Sequence, residues 1–305
     1  MNEDYQQRID RVIQYIEDNL SHPINLERLA EVSNFSKYHF ARIFTHTVGI
    51  SPVSFVNLKR LERSIDYLTK TDKTILEISA LCGFDSISTF NTAFKKHFNL
   101  TPRAVRDDLK DSNILRQVSK KQEEFSSPLR YDQSEKKSFM RRVWDMNITI
   151  KELPAYEVAY FRHVGSYMET YRAWQKLGAF SAQHKLYPPE QHFIGISLDD
   201  PSSVDEYACR YDACITIPPE FDREGHEEVQ FKTLPGGLFA LYQFYDTIDK
   251  FGIIYQSLFG QWLPNSEYDA DDRPCLEFSM NDPAQDPERK AKIDLYIPIR
   301  KRAEA

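Results

Sequence analysis

The chain has 305 residues, 41% of them hydrophobic, and a formal net charge of -7. Such a length leaves room for two domains, while no segment approaches the roughly 18 consecutive apolar residues that a membrane span needs. The polar N-terminus lacks the apolar run of a secretory signal, and the four cysteines have no zinc-type spacing, so we expect a cytoplasmic protein with no metal, cofactor or membrane partner.

Charge is distributed unevenly along the chain. Residues 1–110 carry 15 Lys and Arg against 14 Asp and Glu, whereas residues 146–305 carry 16 against 26, a net charge of -10. Residues 111–145, with 8 against 6, lack sustained periodicity and are rich in Ser, Lys and Glu, which is typical of a linker. This asymmetry predicts two domains with different partners, joined by residues 111–145.

The N-terminal part contains an internal repeat. NLERLAEVSNF returns 49 residues later as TILEISALCGF, and the serine and two phenylalanines of SKYHFARIF return 50 residues later in SISTFNTAF. Each copy predicts a short helix, a turn, a second helix with serine at its N-cap, and a Ser/Thr-Pro pair that opens a third helix. Thr74 and Glu77 predict a capping box, and Phe90, Phe94 and Phe98 fall on one helix face, which predicts a buried stripe.

Helix, tight turn and helix is the geometry of a helix-turn-helix, whose second helix can enter the major groove of DNA. The helix predicted between the copies, in SPVSFVNLKRLERSIDYLTK, spans about 27 Å for about 18 residues. It would set the two recognition helices roughly one DNA turn apart. A repeated helix pair also fits a helical scaffold, so double-stranded DNA is one of two interpretations of the repeat alone.

The C-terminal part also repeats. ITIKELPAYEVAYF matches VQFKTLPGGLFALY 81 residues later, and in each copy two strands are followed by an amphipathic helix and two more strands. This pattern predicts an α+β domain made of a tandem strand-strand-helix-strand-strand repeat, with its helices on one face of the sheet. The predicted fold class is therefore multidomain, with an all-α double helix-turn-helix domain first, and the groove between equivalent elements is a natural ligand site.

The two parts resemble two known families. Residues about 8–109 resemble the DNA-binding domain of AraC/XylS-type transcription regulators, through SKYHFARIF and ISALCGFDSISTFNTAFKKHFNLTPRAVR. Residues about 147–301 resemble the GyrI-like domain of multidrug-sensing, Rob-type regulators, through YRAWQKLGAF, FIGISLDDP, FGQWLP and CLEF. The resemblance implies a sequence-specific transcription regulator that binds a small-molecule effector.

The AraC-type resemblance implies which side chains face DNA, with the first recognition helix starting near Ser36. Arg42 is the best base-reading candidate, because a guanidinium can bind guanine O6 and N7 together; a surface or phosphate-contacting arginine is the alternative. Tyr38 either contacts DNA or packs in the core. The second helix offers small groove-facing side chains and two lysines suited to phosphates. We therefore expect it to bind the DNA backbone more than it recognises bases. The expected DNA contacts are Ser36, Lys37, Tyr38, Ala41, Arg42, Ile87, Ser88, Thr89, Thr92, Lys95 and Lys96.

The acidity and aromatic content of the C-terminal part suit a cationic, aromatic ligand, because ring faces attract cations. In CLEFS, Glu277 alternates with Leu276 and Phe278, so it should point to the opposite face of the strand. A carboxylate buried there is costly unless a cation pairs with it; an exposed edge glutamate is the alternative. The GyrI-like resemblance implies a ligand-facing glutamate, whereas aromatic residues at helical spacing are usually core. The expected ligand contacts are Glu277, Tyr171, Trp174, Tyr255, Phe259 and Trp262.

Two alternatives stay open for the C-terminal domain. Some GyrI-like proteins resemble hydrolases that use a pocket glutamate as general base, but the sequence offers no nucleophile–base pair, metal cluster or phosphate loop, and we predict no enzyme. Acidic loops also suit a protein partner, and RNA polymerase is one candidate. Because one chain carries two helix-turn-helix units, we expect that it can bind an asymmetric DNA site as a monomer.

Overall fold

The structure is a computed structural model that describes residues 3–107, 147–201 and 203–302. The predicted linker, residues 111–145, and both predicted domain boundaries lie outside these residues, so they stay predictions. The described residues form two compact units. The helical unit comprises residues 3–34 and 44–107, and the sheet unit comprises residues 35–43, 147–201 and 203–302.

The described N-terminal part of the chain is helical throughout. None of the helices described in the structure combines the length and the apolar character that a membrane crossing requires. One helix, α3, begins in the sheet unit and ends in the helical unit. The helices are α1 (Glu3–Asp18), α2 (Leu26–Ser33), α3 (Phe40–Val48), α4 (Pro52–Lys70), α5 (Ile75–Leu81), α6 (Ile87–Phe98) and α7 (Pro102–Asp107).

Most of the predicted helix starts are confirmed. Ser51 caps α4 with Pro52 in the first turn, Thr74 and Glu77 form the capping box of α5, and the Ser86 hydroxyl accepts from the Thr89 amide at 3.1 Å to cap α6. These devices satisfy amides that have no partner within the helix. They are local in sequence, which is why the pattern predicts them correctly.

A turn at Ser36 leads into the first recognition helix, whose start is expected near that residue. The carbonyl oxygen of Ser36 accepts from the amides of both His39 and Phe40, at 3.0 and 2.9 Å, which closes a tight turn. The Ser36 hydroxyl accepts from the Tyr38 amide at 3.4 Å. The bond from the Phe40 amide to the Ser36 carbonyl oxygen spans four residues, as in an α-helix, so the turn runs directly into α3, which begins at Phe40.

The core of the helical unit confirms the predicted stripe on α6. Phe90, Phe94 and Phe98 are buried together with residues of α4, α5 and α7. Gly83, in the turn between α5 and α6, has φ of +80°, and a Cβ there would lie 2.2 Å from the Leu20 carbonyl oxygen. This turn therefore requires glycine for both its backbone conformation and its space.

The sheet unit contains nine antiparallel strands and two longer helices. Helix α8 is Tyr171–His184, and α9 is Phe251–Ser257, which continues as a π-helical segment, Leu258–Trp262. The strands follow the order β1-β6-β9-β8-β3-β4-β2-β5, with β7 paired to β9. They are β1 (Thr149–Leu153), β2 (Tyr156–Val164), β3 (Phe193–Ser197), β4 (Arg210–Thr216), β5 (Gln230–Leu234), β6 (Gly237–Asp246), β7 (Tyr268–Ala270), β8 (Leu276–Ser279) and β9 (Ala291–Lys301).

The first strand of each half pairs with the other half. Strand β1 pairs with β6, and β5 pairs with β2, while β3 and β8 join the halves at the centre of the sheet. The elements run strand, strand, helix, strand, strand in both halves, and the short β7 is an addition in the second. The halves are thus interleaved, so neither can form its full set of strand pairs alone.

The central register places Glu277 on the side of the sheet that α8 covers. Glu277 pairs with Gly195, and Gly195 pairs with Ala213, whose side chain packs in one core cluster with Leu177 of α8. Leu276 belongs to the cluster on the opposite face, as the alternation of CLEFS predicts.

Candidate functional site

Glu277 is a carboxylate buried within the sheet unit. Its relative exposure is 7%, so the predicted burial is confirmed and the alternative of an exposed edge glutamate is wrong. Burial raises the pKa of Glu277, because water no longer solvates its charge, while its hydrogen-bond partners and the charge of Arg42 oppose this rise. Such a group needs hydrogen-bond donors or a cation close by.

Three hydroxyl groups from three elements surround this carboxylate. The Tyr255 hydroxyl, from α9, donates to Oε1 at 2.7 Å, and the Ser197 hydroxyl, from β3, donates to the same oxygen at 2.8 Å. The Tyr211 hydroxyl, from β4, donates to Oε2 at 3.3 Å. Burial, followed by the charge of Glu277, raises the pKa of both tyrosines well above their ordinary value, so both stay neutral donors.

Gly195 provides the space for this cluster. A Cβ at that position would lie 2.0 Å from the Tyr211 hydroxyl oxygen and 2.9 Å from Glu277 Oε2. Both distances are far below ordinary contact, so any side chain at position 195 would displace two of the bonded groups. The glycine in FIGIS therefore allows the carboxylate and the phenol to meet across three strands.

Aromatic rings surround the hydroxyl groups. The rings of Tyr255 and Phe259 are stacked, with centroids 6.2 Å apart and an interplanar angle of 6°. The Trp174 ring, from α8, lies 6.2 Å from the Tyr211 ring. A buried carboxylate lined by aromatic faces is chemically suited to a flat cation, because the faces and the carboxylate both attract positive charge.

Residues 35–43 contribute two side chains to this same unit. Arg42 Cζ lies 4.3 Å from the centroid of the Tyr255 ring, and its Nη2 donates to the Asp199 carbonyl oxygen at 3.4 Å. The His39 ring stacks on Phe259 with centroids 4.6 Å apart and an interplanar angle of 20°. Burial, together with the charge of Arg42, lowers the pKa of His39 to about 3, so this ring is neutral where it packs.

The other ligand contacts expected from the sequence lie apart. Tyr171 is exposed, and its hydroxyl accepts from Arg172 at 3.4 Å. Trp262 stacks on Tyr268, with centroids 6.5 Å apart. Within the part of the chain that the structure describes, neither ring has a contact with Glu277, whereas Tyr255 bonds to it, Phe259 stacks on Tyr255, and Trp174 lies beside its Tyr211 partner.

Sequence reasoning missed several members of the cluster. Ser197 and Tyr211 are neighbours of Glu277 only because of the β8–β3–β4 register, and that register depends on pairings distant in sequence. Gly195 is the one signal that could have suggested them, since an isolated glycine inside a strand often marks a close approach of other groups. His39 gave no signal, because its contacts arise only in the folded unit.

The DNA contacts expected on α6 lie on one exposed face. Ile87 is 38% exposed, and the remaining members are also exposed: Ser88, Thr89, Thr92, Lys95 and Lys96. An open depression of ≈ 450 Å³ at the end of this face is lined by Thr92, Lys95, Lys96 and Asn99. The buried phenylalanines occupy the other side of the helix, so this surface is free to meet a polyanion.

The contacts expected before and in α3 differ in exposure. Lys37 is exposed, Tyr38 and Arg42 are partly buried, and Ser36 and Ala41 are buried at 3% and 8% exposure. The Arg42 guanidinium, expected to reach bases, packs on Tyr255 in this structure. Within the sheet unit, the guanidinium also lies 5.9 Å from the centroid of the Phe259 ring.

Comparison with known proteins matches both parts of the chain. Residues 146–300 match the GyrI-like small molecule binding domain, and residues 29–108 match a helix-turn-helix domain. The chain is 36% identical over 121 residues to the uncharacterized HTH-type transcriptional regulator YbfP of Bacillus subtilis, a match covering 40% of this chain and 39% of YbfP. The chain thus aligns with about two fifths of that relative.

Two shorter relatives align with the helix-turn-helix region. The chain is 33% identical over 102 residues to the probable transcription factor PqrA of Proteus vulgaris, covering 33% of this chain and 84% of PqrA. It is 31% identical over 98 residues to the multiple antibiotic resistance protein MarA of Escherichia coli K12, covering 32% of this chain and 77% of MarA. None of the three relatives' names describes an enzyme. With one family matching more than half of its length, the chain belongs to the GyrI-like small molecule binding family, and residues 29–108 carry an AraC-type helix-turn-helix domain.

Proposed function

We propose that the chain is a DNA-binding transcription regulator that senses a cationic, aromatic small molecule through Glu277. The observation that carries the proposal is a carboxylate with 7% exposure, bonded by three hydroxyl groups and bordered by stacked rings. A cation stacked on those rings would interact with the carboxylate in a medium that screens charge poorly.

Double-stranded DNA is the proposed macromolecular partner, bound by both recognition helices of one chain. The exposed polar face of α6, with Lys95 and Lys96 near its end, supports phosphate contacts. In this proposal the second helix anchors the protein, and the first helix carries more of the base reading. RNA polymerase stays a candidate partner of the acidic domain.

Fluorescence titration tests the ligand proposal, because Trp174 lies beside a ring that bonds Glu277. A panel of cationic aromatic dyes should quench tryptophan fluorescence saturably in the wild-type chain. Glu277→Gln keeps the side-chain shape but removes the charge, and it should weaken binding roughly tenfold or more, because a poorly screened charge–charge attraction is lost. The matched control Glu220→Gln removes an exposed carboxylate of the same domain and should leave affinity unchanged.

Three results would contradict the proposal. One is equal binding of cationic and neutral dyes, and a second is equal affinity of wild type and Glu277→Gln. The third is steady release of product from a labile ester in a Glu277-dependent manner, which would assign a hydrolase instead.

A further inference from the structure

The rings beside Glu277, which we call the Glu277 pocket and define as Tyr255, Phe259, Tyr211 and Trp174, carry a cation from the chain itself. Arg42 Cζ lies 4.3 Å from the Tyr255 centroid and 5.9 Å from the Phe259 centroid, within the range of about 6 Å over which a cation is attracted to a ring face. The hydroxyl of the same Tyr255 donates to Glu277 at 2.7 Å. Arg42 therefore occupies the position at which a cationic ligand would stack.

The chemistry of this contact is specific to a planar cation. While the guanidinium face stacks on Tyr255, its Nη2 donates to the Asp199 carbonyl oxygen at 3.4 Å, and the same oxygen accepts from the Tyr167 hydroxyl at 2.9 Å. A guanidinium can stack and donate together because its donors lie in the plane of the group. A lysine ammonium has no flat face to stack on the ring. It would lose part of these contacts, and water would solvate its charge instead.

His39 provides a second contact three residues before Arg42, on the same side of the segment. Its ring stacks on Phe259, and its Nε2 lies 3.2 Å from the Arg273 carbonyl oxygen. His39 is fully buried at 0% exposure. The two side chains thus cover neighbouring rings of α9 and of the π-helical segment that follows it.

We propose that Arg42 is an internal ligand of the Glu277 pocket, and that the effector is a planar delocalised cation, an arylguanidinium or arylamidinium, that displaces it from Tyr255. This inference rests on the proposed ligand site and adds the chemical class of the effector and its coupling to DNA. Two cations do not share one ring face, so effector binding and Arg42 stacking exclude each other. Arg42, the expected base-reading residue, is released for DNA only when the effector occupies the pocket.

Titration of the full chain with phenylguanidinium tests the inference, and neutral phenylurea is the charge control. Arg42→Ala should bind phenylguanidinium at least tenfold more tightly than wild type, which corresponds to a pocket that is open roughly one tenth of the time in wild type. Arg42→Lys should fall between the two, because its ammonium competes less well for the ring. Arg28→Ala, which removes an exposed arginine, should match wild type, and phenylurea should bind all four proteins more weakly.

The outcomes separate this inference from the proposed function. Binding that depends on Glu277 but is not tightened by Arg42→Ala overturns the internal ligand and leaves the ligand site standing. Weakened binding by Arg42→Ala also overturns it, because Arg42 would then belong to the ligand's own contacts. Failure of wild type, Arg42→Ala and Arg42→Lys alike to bind phenylguanidinium overturns this inference, and failure of the dye panel as well overturns the proposed function. Circular dichroism and thermal unfolding of each variant confirm that the compared proteins are folded.

Discussion

The Tyr255 hydroxyl donates to Glu277 Oε1 at 2.7 Å, while the face of the same Tyr255 ring carries the Arg42 guanidinium at 4.3 Å. Tyr255 therefore contacts both charged groups: its hydroxyl bonds to the buried carboxylate of Glu277, and its ring face stacks on the guanidinium of Arg42. A ligand that stacks on this ring would interact with the same two groups. Replacing Tyr255 with phenylalanine removes the hydroxyl but keeps the ring. The variant therefore separates the hydrogen bond to Glu277 from the stacking of Arg42.

Tyr255→Phe should destabilise the protein and weaken cation binding. The variant leaves Glu277 with one donor fewer, and an unsatisfied buried acceptor costs about 1–3 kcal/mol. Urea unfolding should report that loss in the free energy of unfolding. Tyr245→Phe is the matched control: its ring is 53% exposed and its hydroxyl donates to Asp286 in an exposed hydrogen bond. A loss equal in both variants would contradict the central role of Tyr255.

Gly195→Ala and Gly178→Ala should change stability in opposite directions. The added methyl at Gly195 would meet the Tyr211 hydroxyl at 2.0 Å, whereas the one at Gly178, in α8, would meet nothing within 4 Å. Overpacking at the first site should cost about 1–3 kcal/mol, while alanine in a helix should add about 0.5–1 kcal/mol. Thermal and urea unfolding would measure both, and two shifts of the same sign would be inconsistent with this assignment.

Glu277→Gln should stabilise the protein at high pH and less so in acid. Burial raises the pKa of Glu277 in the folded protein, so the folded state holds this proton more tightly than the unfolded chain does. The stability from this group is therefore fully present below the unfolded pKa of about 4.3 and is lost as the pH rises through the higher folded value. The amide avoids that loss.

Urea unfolding at several pH values between 4 and 8 checks this prediction. The free energy of unfolding of Glu277→Gln should exceed that of wild type at pH 8, and the difference should shrink as the pH falls. Glu220→Gln, at an exposed position, should show no such trend. A Glu277→Gln variant that loses stability at pH 8 would mean that the carboxylate is stabilised as an anion. A gain in stability together with a loss of ligand affinity is the expected trade-off for a binding site.

Lys95→Ala and Lys96→Ala should weaken DNA binding by a similar factor for every sequence tested. Each lysine on the exposed face of α6 is expected to contact one phosphate, so each variant should reduce the slope of log affinity against log salt by about 1. Fluorescence anisotropy with duplexes of different sequence measures both quantities. Lys70→Ala, on α4, whose ammonium pairs with Asp66 at 2.6 Å, is the control. If the loss of affinity depended on the DNA sequence, these lysines would contact bases instead of phosphates.

Much of the local structure was predictable because its causes are local. The caps at Thr74 and Ser86 and the phenylalanine stripe of α6 depend on groups within a few residues of each other. The strands and the burial of Glu277 followed from alternation, since a two-residue period assigns each side chain to one face. The matched families agree with the two halves that the repeats and motifs indicate.

What surrounds Glu277 was decided only by the tertiary structure. Ser197 and Tyr211 reach the carboxylate because β8, β3 and β4 pair in one particular register, and a shift of one residue would turn each side chain to the other face. The stacking of Arg42 on Tyr255 depends on a contact across more than 200 positions of the chain. Sequence periodicity by itself determined which residues are buried, but the pairing of distant strands and helices determined which of those residues meet.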